Sequence, residues 1–161
     1  MEGTEFLVDQ AMRIVFEGER PDNRPDDAHD VLGTLRQGYF MYEAIDNPFS
    51  RALFMMFLVA EVHPFMDGNG RVARVMMNAE LVAHGQTRIL IPSVYRNEYV
   101  SSLKRLTNYH EAEAFSRVMD YAQLFVSRFD FTDLETVRQA LAAHNAFYDP
   151  VDNVRLKIPD E

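Results

Sequence analysis

Apolar residues recur at helical spacing along most of the chain, and no pair of segments shows the alternation of two β-strands. An almost unbroken apolar run from Ala52 to Ala60 marks a helix that is buried on most sides. Seven helices are predicted, near residues 5–16, 28–45, 49–62, 70–84, 95–107, 111–129 and 133–147. Prolines, glycines and charged stretches separate them. The pattern therefore predicts an all-α fold of about seven helices.

Composition sets the outer limits of that fold. With 161 residues, the chain suits a single domain over residues 1–161, which we divide into a core at about 28–130 and a helical C-terminal tail at 131–161. The absence of cysteine excludes disulfides and thiolate metal sites. A formal charge of −9 does not favour the basic surface that binds nucleic acid. No apolar run approaches the ~20 residues that span a bilayer, and no signal peptide is visible, so we expect a cytoplasmic protein without membrane contact.

Residues 63–74 combine several groups suited to phosphate chemistry. His63 is a side chain whose ordinary pKa suits a general base near neutrality, and Asp67 is a hard oxygen ligand of the kind Mg²⁺ uses. The turn that follows, residues 67–70, contains two glycines and opens onto a helix N-terminus, where backbone N–H groups favour anions. Arg71 and Arg74, spaced i,i+3, project from one face of that helix and can each fork onto phosphate oxygens.

Two plainer interpretations of this stretch are weaker. A calcium loop that starts at Asp67 would have Arg71 at its fifth position and Asn78 at its twelfth, where oxygen ligands are required and the last is a Glu. A simple turn leaves His63, Arg71 and Arg74 without a role. We expect the other histidines to lie on the surface or to be hydrogen-bonded in the core, because none has a second metal-binding side chain at the spacing of a metal motif. These histidines are His29, His84, His110 and His144.

Residues 63–74 resemble the Fic motif, H-P-F-x-D/E-G-N-G-R-x-x-R, and match it at all nine specified positions. Residues 92–99 and Leu103 are similar to the helix that follows in this family, and residues 145–159 resemble a tail of larger Fic-family proteins. The resemblance implies a helical bundle of the Fic type. It also implies an enzyme that transfers AMP from ATP to a hydroxyl side chain of a target protein and releases pyrophosphate.

The resemblance assigns roles to individual residues. His63 would be the catalytic base, and Asp67 would bind Mg²⁺ or Mn²⁺ between the phosphates. Nucleotide binding would fall to Gly68, Asn69, Gly70, Arg71, Arg74 and Tyr99: the first three cradle the α- and β-phosphates, the two arginines hold the β- and γ-phosphates, and the tyrosine holds the adenine. Phe65 would anchor the loop to the core. Most of the catalysis would then come from positioning and charge stabilisation.

Two regulatory and docking features of the family are altered in this sequence. Fic enzymes usually align their target on a β-hairpin flap, but residues 18–27 are too rich in proline and charge for a hairpin, so we expect a reduced or missing flap. The inhibitory motif S/T-x-x-x-E-G/N has its nearest match at residues 13–18, where Glu17 and Gly18 fit but Arg13 replaces the hydroxyl residue. We therefore predict no inhibition from within this chain, so that any restraint on Arg74 comes from a partner protein or from sequence outside these 161 residues.

The leading functional hypothesis is a protein adenylyltransferase that uses ATP as co-substrate and acts on Ser, Thr or Tyr of a target protein. Two alternatives remain. One is a Fic-fold kinase or phosphocholine-type transferase, which uses the same loop on a reversed nucleotide or a different donor. The other is a nucleotide-binding or interaction module without turnover, which the weak flap favours and the intact His63 disfavours.

Overall fold

The computed structural model describes residues 28–159, with side chains from residue 31 onward. Six α-helices follow one another: α1 (Ala28–Glu43), α2 (Pro48–Val62), α3 (Asn69–Ala83), α4 (Arg96–Tyr109), α5 (Ala112–Ser127) and α6 (Leu134–Ala143). Short 3-10 helices lie at Ser93–Tyr95 and Pro150–Asp152. No strand occurs in the described residues. The predicted all-α fold is confirmed.

Six of the seven predicted helices are present, and their ends differ from the prediction by a few residues at most. The largest difference is at the last helix, which was predicted to run to residue 147 but ends at Ala143. Asn145 there adopts a left-handed backbone with φ 68°, which a continuing helix cannot accommodate. The predicted helix at 5–16, the segment 18–27 and Glu17 lie outside the described residues.

The chain divides into two compact units, which meet in sequence between Gln86 and Thr87. In the first unit, α2 is the central helix and packs against both α1 and α3. The Asn47 side chain accepts a hydrogen bond from the Ser50 N–H and so caps α2, and Pro48 occupies the first helical turn, where its missing N–H costs nothing. The buried residues of α2 are Ala52, Leu53, Phe54, Met56, Phe57, Leu58, Val59 and Val62.

In the second unit, the C-terminal residues fold back onto α5. A buried cluster joins Phe125 and Val126 of α5 to Ala146 and Ile158. Hydrogen bonds hold the returning chain, since the Asn145 side chain donates to the Arg155 carbonyl at 2.8 Å and the Lys157 N–H donates to the His144 carbonyl at 3.2 Å. Ala146 and Ile158, from the stretch predicted to form the tail, thus contribute to the buried cluster of this unit.

The division into a core at about 28–130 and a C-terminal tail at 131–161 is not tested by the boundary after Gln86 and stays a prediction. A single domain over the whole chain stays a prediction. Among the described residues, no helix combines the length and the apolar character that a bilayer crossing requires.

Candidate active site

His63 forms the junction between α2 and the loop that follows. Its backbone is left-handed, with φ 48° and ψ 55°, and its N–H donates to the Val59 carbonyl at 3.3 Å, which closes the last turn of the helix. This conformation ends α2 and turns the chain into the loop, as the proline at the next position also requires. The His63 side chain is exposed, so the imidazole is accessible to a reacting group.

Asn69 closes the loop through both polar atoms of its side chain. Its Oδ1 accepts from the Phe65 N–H at 2.9 Å, and its Nδ2 donates to the Phe65 carbonyl at 2.6 Å. The residue is 6% exposed. These two bonds to the backbone of Phe65 hold the loop in shape.

Helix α3 begins at the loop without a side-chain cap. Gly68 is the N-cap residue with φ 81°, and its carbonyl accepts from the N–H groups of Arg71 and Val72, each at 2.9 Å. The N–H groups of Asn69 and Gly70 precede these bonds, in the turn whose donors have no partner within a helix. Together with the helix dipole they give this N-terminus the donors and the partial positive charge that suit an anion.

The two arginines of the segment lie over the two glycines. A Cβ atom built on Gly68 would lie 3.3 Å from Arg71 Nη2, and one built on Gly70 would lie 3.5 Å from Arg74 Nη1. The contact at Gly68 would be tight and the one at Gly70 ordinary, so both guanidinium groups lie beside the N-terminus of α3 and the missing side chain matters most at Gly68. Two guanidinium groups at a helix N-terminus suit a ligand that carries more than one phosphate.

Asp67 and Arg71 contact each other in this structure. The resemblance to the Fic motif implied a metal ion as the partner of Asp67 and a phosphate as the partner of Arg71. Arg71 Nη2 lies 3.2 Å from Asp67 Oδ2, and the two side chains are 75% and 92% exposed. Such an exposed pair contributes only about 0–1 kcal/mol, so both groups can exchange this contact for a phosphate or a metal ion. Arg74 forms no ion pair with any carboxylate in residues 31–159.

Asp67 is the carboxylate of this loop that could contribute to holding a metal ion. No group of three His, Asp or Glu side chains in the described part of the chain could hold a metal by itself. Asp67 provides one exposed carboxylate beside the anion site. Mg²⁺ commonly binds through one or two carboxylates plus substrate phosphates and retains several waters, and this donor set matches that pattern.

Phe65 was expected to anchor the loop to the core, but it is only partly buried. Its ring is 51% exposed. It lines, with Pro64 and Met76, a cavity of about 580 Å³ that we call the apolar groove. The remaining lining residues come from α1 and α2, and they are Val31, Leu32, Leu35, Tyr39, Met55, Leu58 and Val59.

The structure brings together seven of the eight predicted site residues in the first unit, along a continuous segment: His63, Asp67, Gly68, Asn69, Gly70, Arg71 and Arg74. Tyr99, the eighth, lies on α4 in the second unit. There its ring packs on Phe115, with the ring centroids 6.5 Å apart and tilted by 45°. A contact between Tyr99 and adenine stays a prediction.

A polar network that the sequence did not reveal ties together the three helices of the first unit. Glu80 on α3 accepts hydrogen bonds from the hydroxyl of Tyr42 on α1 and, at 2.7 Å, from Nε of Arg51 on α2. Arg51 Nη2 also lies 2.9 Å from His84 Nε2. Because arginine only donates, this ring nitrogen accepts, and the proton resides on His84 Nδ1, which faces the Glu80 carbonyl at 2.9 Å.

The network shifts the pKa of two of its members in opposite directions. Burial works to raise the pKa of the Glu80 carboxyl, but the hydrogen bonds from Tyr42 and Arg51 outweigh it, and the pKa is lowered. Burial and the hydrogen bond to Glu80 raise the pKa of Tyr42 to about 12. Two sequence signals could have indicated this network, and they are an arginine within the apolar helix α2 and the Glu80/His84 pair at i,i+4.

The described residues form an all-α fold in which an exposed imidazole, a helix N-terminus without a side-chain cap and two arginines lie within one short segment. The sequence profile of the Fic/DOC family matches residues 4–81. A Fido domain-containing protein of Dictyostelium discoideum is 30% identical over 99 residues, which are 60% of this chain and 69% of that protein. The chain belongs to the Fic/DOC family.

Further relatives carry the name protein adenylyltransferase Fic. The Drosophila yakuba protein is 37% identical over 71 residues, and the Drosophila willistoni protein is 34% identical over 76 residues. These matches cover 44% and 47% of this chain but only 14% and 15% of the Drosophila proteins. No solved structure matches the chain significantly.

Proposed function

We propose that this protein is an adenylyltransferase that transfers AMP from ATP to a hydroxyl group of a target protein. The observation that carries the proposal is the placement of Arg71 and Arg74 over Gly68 and Gly70, beside the uncapped N-terminus of α3. That arrangement supplies two cationic side chains and a set of backbone donors, which suits a triphosphate better than a single phosphate. The names of the Drosophila relatives support the same activity.

The proposed reaction uses the loop residues in distinct ways. His63 takes the proton of the target hydroxyl, whose oxygen forms a bond to the α-phosphorus of ATP. The bond from that phosphorus to the bridging oxygen of the β-phosphate breaks, and pyrophosphate leaves with the electron pair. The N–H groups at the start of α3 and the two guanidinium groups stabilise the charge that develops on the phosphates.

A divalent cation, when bound with the nucleotide, would neutralise part of the phosphate charge. Asp67 is the residue of the described segment that would hold it. This role is compatible with the present contact to Arg71, because an exposed ion pair is readily replaced.

Transfer is tested by giving the protein ATP with a label in one phosphate at a time. The protein is incubated alone and with cell extract, in the presence of Mg²⁺, and then separated under denaturing conditions. We expect protein-bound label from α-labelled ATP and none from γ-labelled ATP. Retention of the γ-label instead would identify the kinase-type alternative.

The matched control is His63→Ala. General-base loss typically costs about 10²–10⁴-fold in rate, whereas the imidazole contributes little to ground-state binding, so transfer should fall while ATP affinity measured by calorimetry persists. Calorimetric ATP binding with no labelled product in the parent protein would favour the nucleotide-binding module without turnover. A His63→Ala variant that transfers as fast as the parent would remove His63 from the mechanism.

A further inference from the structure

Arg71 lies in the first turn of α3, where a positive charge is unfavourable by itself. The helix dipole places partial positive charge at this end, and the helix has neither an acidic residue in its first turn nor a side-chain cap. A cation in such a position is stabilised by an anion beside it. In this structure the anion is the carboxylate of Asp67, which precedes the helix.

The contact between these two side chains follows from the direction in which helical side chains point. They lean back toward the N-terminus of their helix, and the guanidinium group of Arg71 accordingly lies over Gly68. Asp67 is the residue before that glycine, and its Oδ2 lies 3.2 Å from Arg71 Nη2. A phosphate that binds Arg71 at this position must therefore displace a carboxylate from it.

Arg74 differs from Arg71 in this respect. It lies on the same helix, and its Nη1 is 3.5 Å from a Cβ atom built on Gly70. No carboxylate within residues 31–159 forms an ion pair with it. A phosphate can therefore reach Arg74 without displacing a carboxylate of this part of the chain.

The carboxylate of Asp67 is itself accessible to a second kind of partner. It is 92% exposed, and Mg²⁺ binds through one or two carboxylates together with substrate phosphates. A divalent cation on this carboxylate repels the guanidinium group of Arg71, because both carry positive charge. The cation thus takes the place of Arg71 on Asp67 and leaves the guanidinium group for a phosphate.

We propose that Asp67 competes with nucleotide phosphate for Arg71, and that a divalent cation bound to Asp67 ends this competition and releases Arg71 to the nucleotide. Cation and phosphate then favour each other's binding beyond their direct attraction, and the effect is reciprocal. Its expected size is about three- to fivefold in affinity, which is within the range of an exposed ion pair. The inference rests on the proposed binding of a nucleotide at this loop but not on AMP transfer.

A double-mutant cycle on the whole chain tests the competition. ADP is the probe, because it carries two phosphates and is not consumed in the proposed reaction. Calorimetry in EDTA gives the Kd for ADP of the parent, Asp67→Asn, Arg71→Gln and the double variant. Removal of the Asp67 charge reduces repulsion of the phosphates in both backgrounds, but it frees a guanidinium group only where Arg71 is present. We therefore expect Asp67→Asn to strengthen ADP binding about three- to fivefold more in the parent than in the Arg71→Gln background.

The matched control cycle uses Arg74→Gln in place of Arg71→Gln. Because Asp67 forms no ion pair with Arg74, Asp67→Asn should strengthen ADP binding in this background as it does in the parent, within about twofold. Asp46→Asn removes a different exposed carboxylate and should leave the affinity for ADP unchanged. Circular dichroism checks that every variant keeps its helices.

The same titrations with Mg²⁺ test the release of Arg71. Mg²⁺ should strengthen ADP binding about three- to fivefold less in Arg71→Gln than in the parent, since that variant has no guanidinium group to release at this position. In Arg74→Gln the strengthening by Mg²⁺ should match that of the parent. A cation that acted only through its direct attraction to the phosphates would strengthen binding equally in all three proteins.

Two results would overturn the proposal while ADP binding persists. One is a gain from Asp67→Asn that is equal in the parent and in Arg71→Gln, or smaller in the parent, because simple shielding of Asp67 by Arg71 predicts a smaller gain. The other is an effect of Mg²⁺ that Arg71→Gln does not change. Absence of ADP binding in the parent would overturn both this inference and nucleotide binding at the loop. The expected coupling without transfer of label from ATP would support the inference and contradict the transferase activity alone.

Discussion

Asn69 shows how a single side chain can set the shape of a ligand-binding loop. Both of its polar atoms bond to the backbone of Phe65, and the residue is almost fully buried. The position of the N–H groups at the start of α3 relative to His63 therefore depends on this amide. Small displacements of catalytic groups are costly, since a shift of about 1 Å can reduce a rate about 10²-fold.

We predict that Asn69→Ala lowers kcat for AMP transfer by about 10–100-fold and weakens ATP binding by a smaller factor. Asn69→Asp should resemble it, because a carboxylate keeps the acceptor but cannot donate to the Phe65 carbonyl. Steady-state kinetics and calorimetry measure the two effects, and circular dichroism checks that the helices persist. A variant with unchanged kcat would show that the loop holds its shape without the amide.

Arg74 is the second residue whose contribution can be isolated. We predict that Arg74→Ala weakens ATP binding about tenfold more than ADP binding, because the resemblance places this guanidinium on the terminal phosphate and a charge-assisted hydrogen bond contributes about 1.5–3 kcal/mol. Calorimetry with both nucleotides measures the ratio. Arg36→Ala, an exposed arginine on α1, removes the same charge and should leave both affinities unchanged. Equal losses for ATP and ADP in Arg74→Ala would place that side chain elsewhere on the nucleotide.

At the scale of the elements, the loop is bracketed by two left-handed residues, His63 at φ 48° and Gly68 at φ 81°. The first ends α2 and the second begins α3. An L side chain in the left-handed region costs roughly 1–2 kcal/mol, so glycine is favoured where a guanidinium group must also fit.

We predict that Gly68→Ala destabilises the protein by about 1–2 kcal/mol and weakens ATP binding, because the new methyl group would lie 3.3 Å from Arg71 Nη2 in a strained backbone. Gly33→Ala is the control within α1, where an added Cβ meets no atom within 4 Å. That change should stabilise the helix by about 0.5–1 kcal/mol and leave binding unchanged. Denaturant unfolding and calorimetry compare the two variants, and a Gly68→Ala protein with parental stability and affinity would contradict the assignment.

At the scale of the three-helix unit, the network around Glu80 couples helices that are distant in sequence. It joins Tyr42, Arg51 and His84, which lie on α1, on α2 and at the end of α3. Such a network carries stability only while its members keep their protonation states. The lowered pKa of Glu80 contributes stability above the ordinary Glu value, and this is lost as the pH falls through the folded value.

The protonation of Tyr42 determines how the stability from this network changes at alkaline pH. Its pKa is raised from 10.0 to about 12, so the folded state holds the proton more tightly than the unfolded state does. The resulting stability is complete below pH 10 and is lost as the pH rises from about 10 to about 12. We predict that Tyr42→Phe costs about 1–3 kcal/mol at neutral pH and has a flatter stability profile over this alkaline range.

Urea unfolding of the parent and of Tyr42→Phe at several pH values between 9 and 12 provides the measurement. The difference between the two proteins removes the contribution of other groups, including Tyr95, whose pKa is also raised to about 12. A difference that stays constant across the range would show that Tyr42 has the same pKa in the folded and unfolded states, which would contradict the prediction.

Local patterns in the sequence were sufficient for the elements and for most of the candidate site. Helical periodicity, prolines and capping residues act over a few neighbouring positions, and they predicted six helices that the structure confirms. Seven site residues lie within one short segment, so chain connectivity alone keeps them close to each other. The motif that they form also indicated the Fic/DOC family, which the family profile and the Dictyostelium relative confirm.

Tertiary structure decided which atoms these residues contact. The sequence could assign Asn69 to a phosphate cradle, but only the folded loop shows that its amide binds Phe65. Likewise, the partners of Glu80 lie 38 and 29 positions away, on α1 and α2, and no local pattern specifies which side chains meet across three packed helices. Hydrogen bonds and packing between distant residues depend on the arrangement of whole helices, and periodicity indicates which face a helix buries without indicating what that face meets.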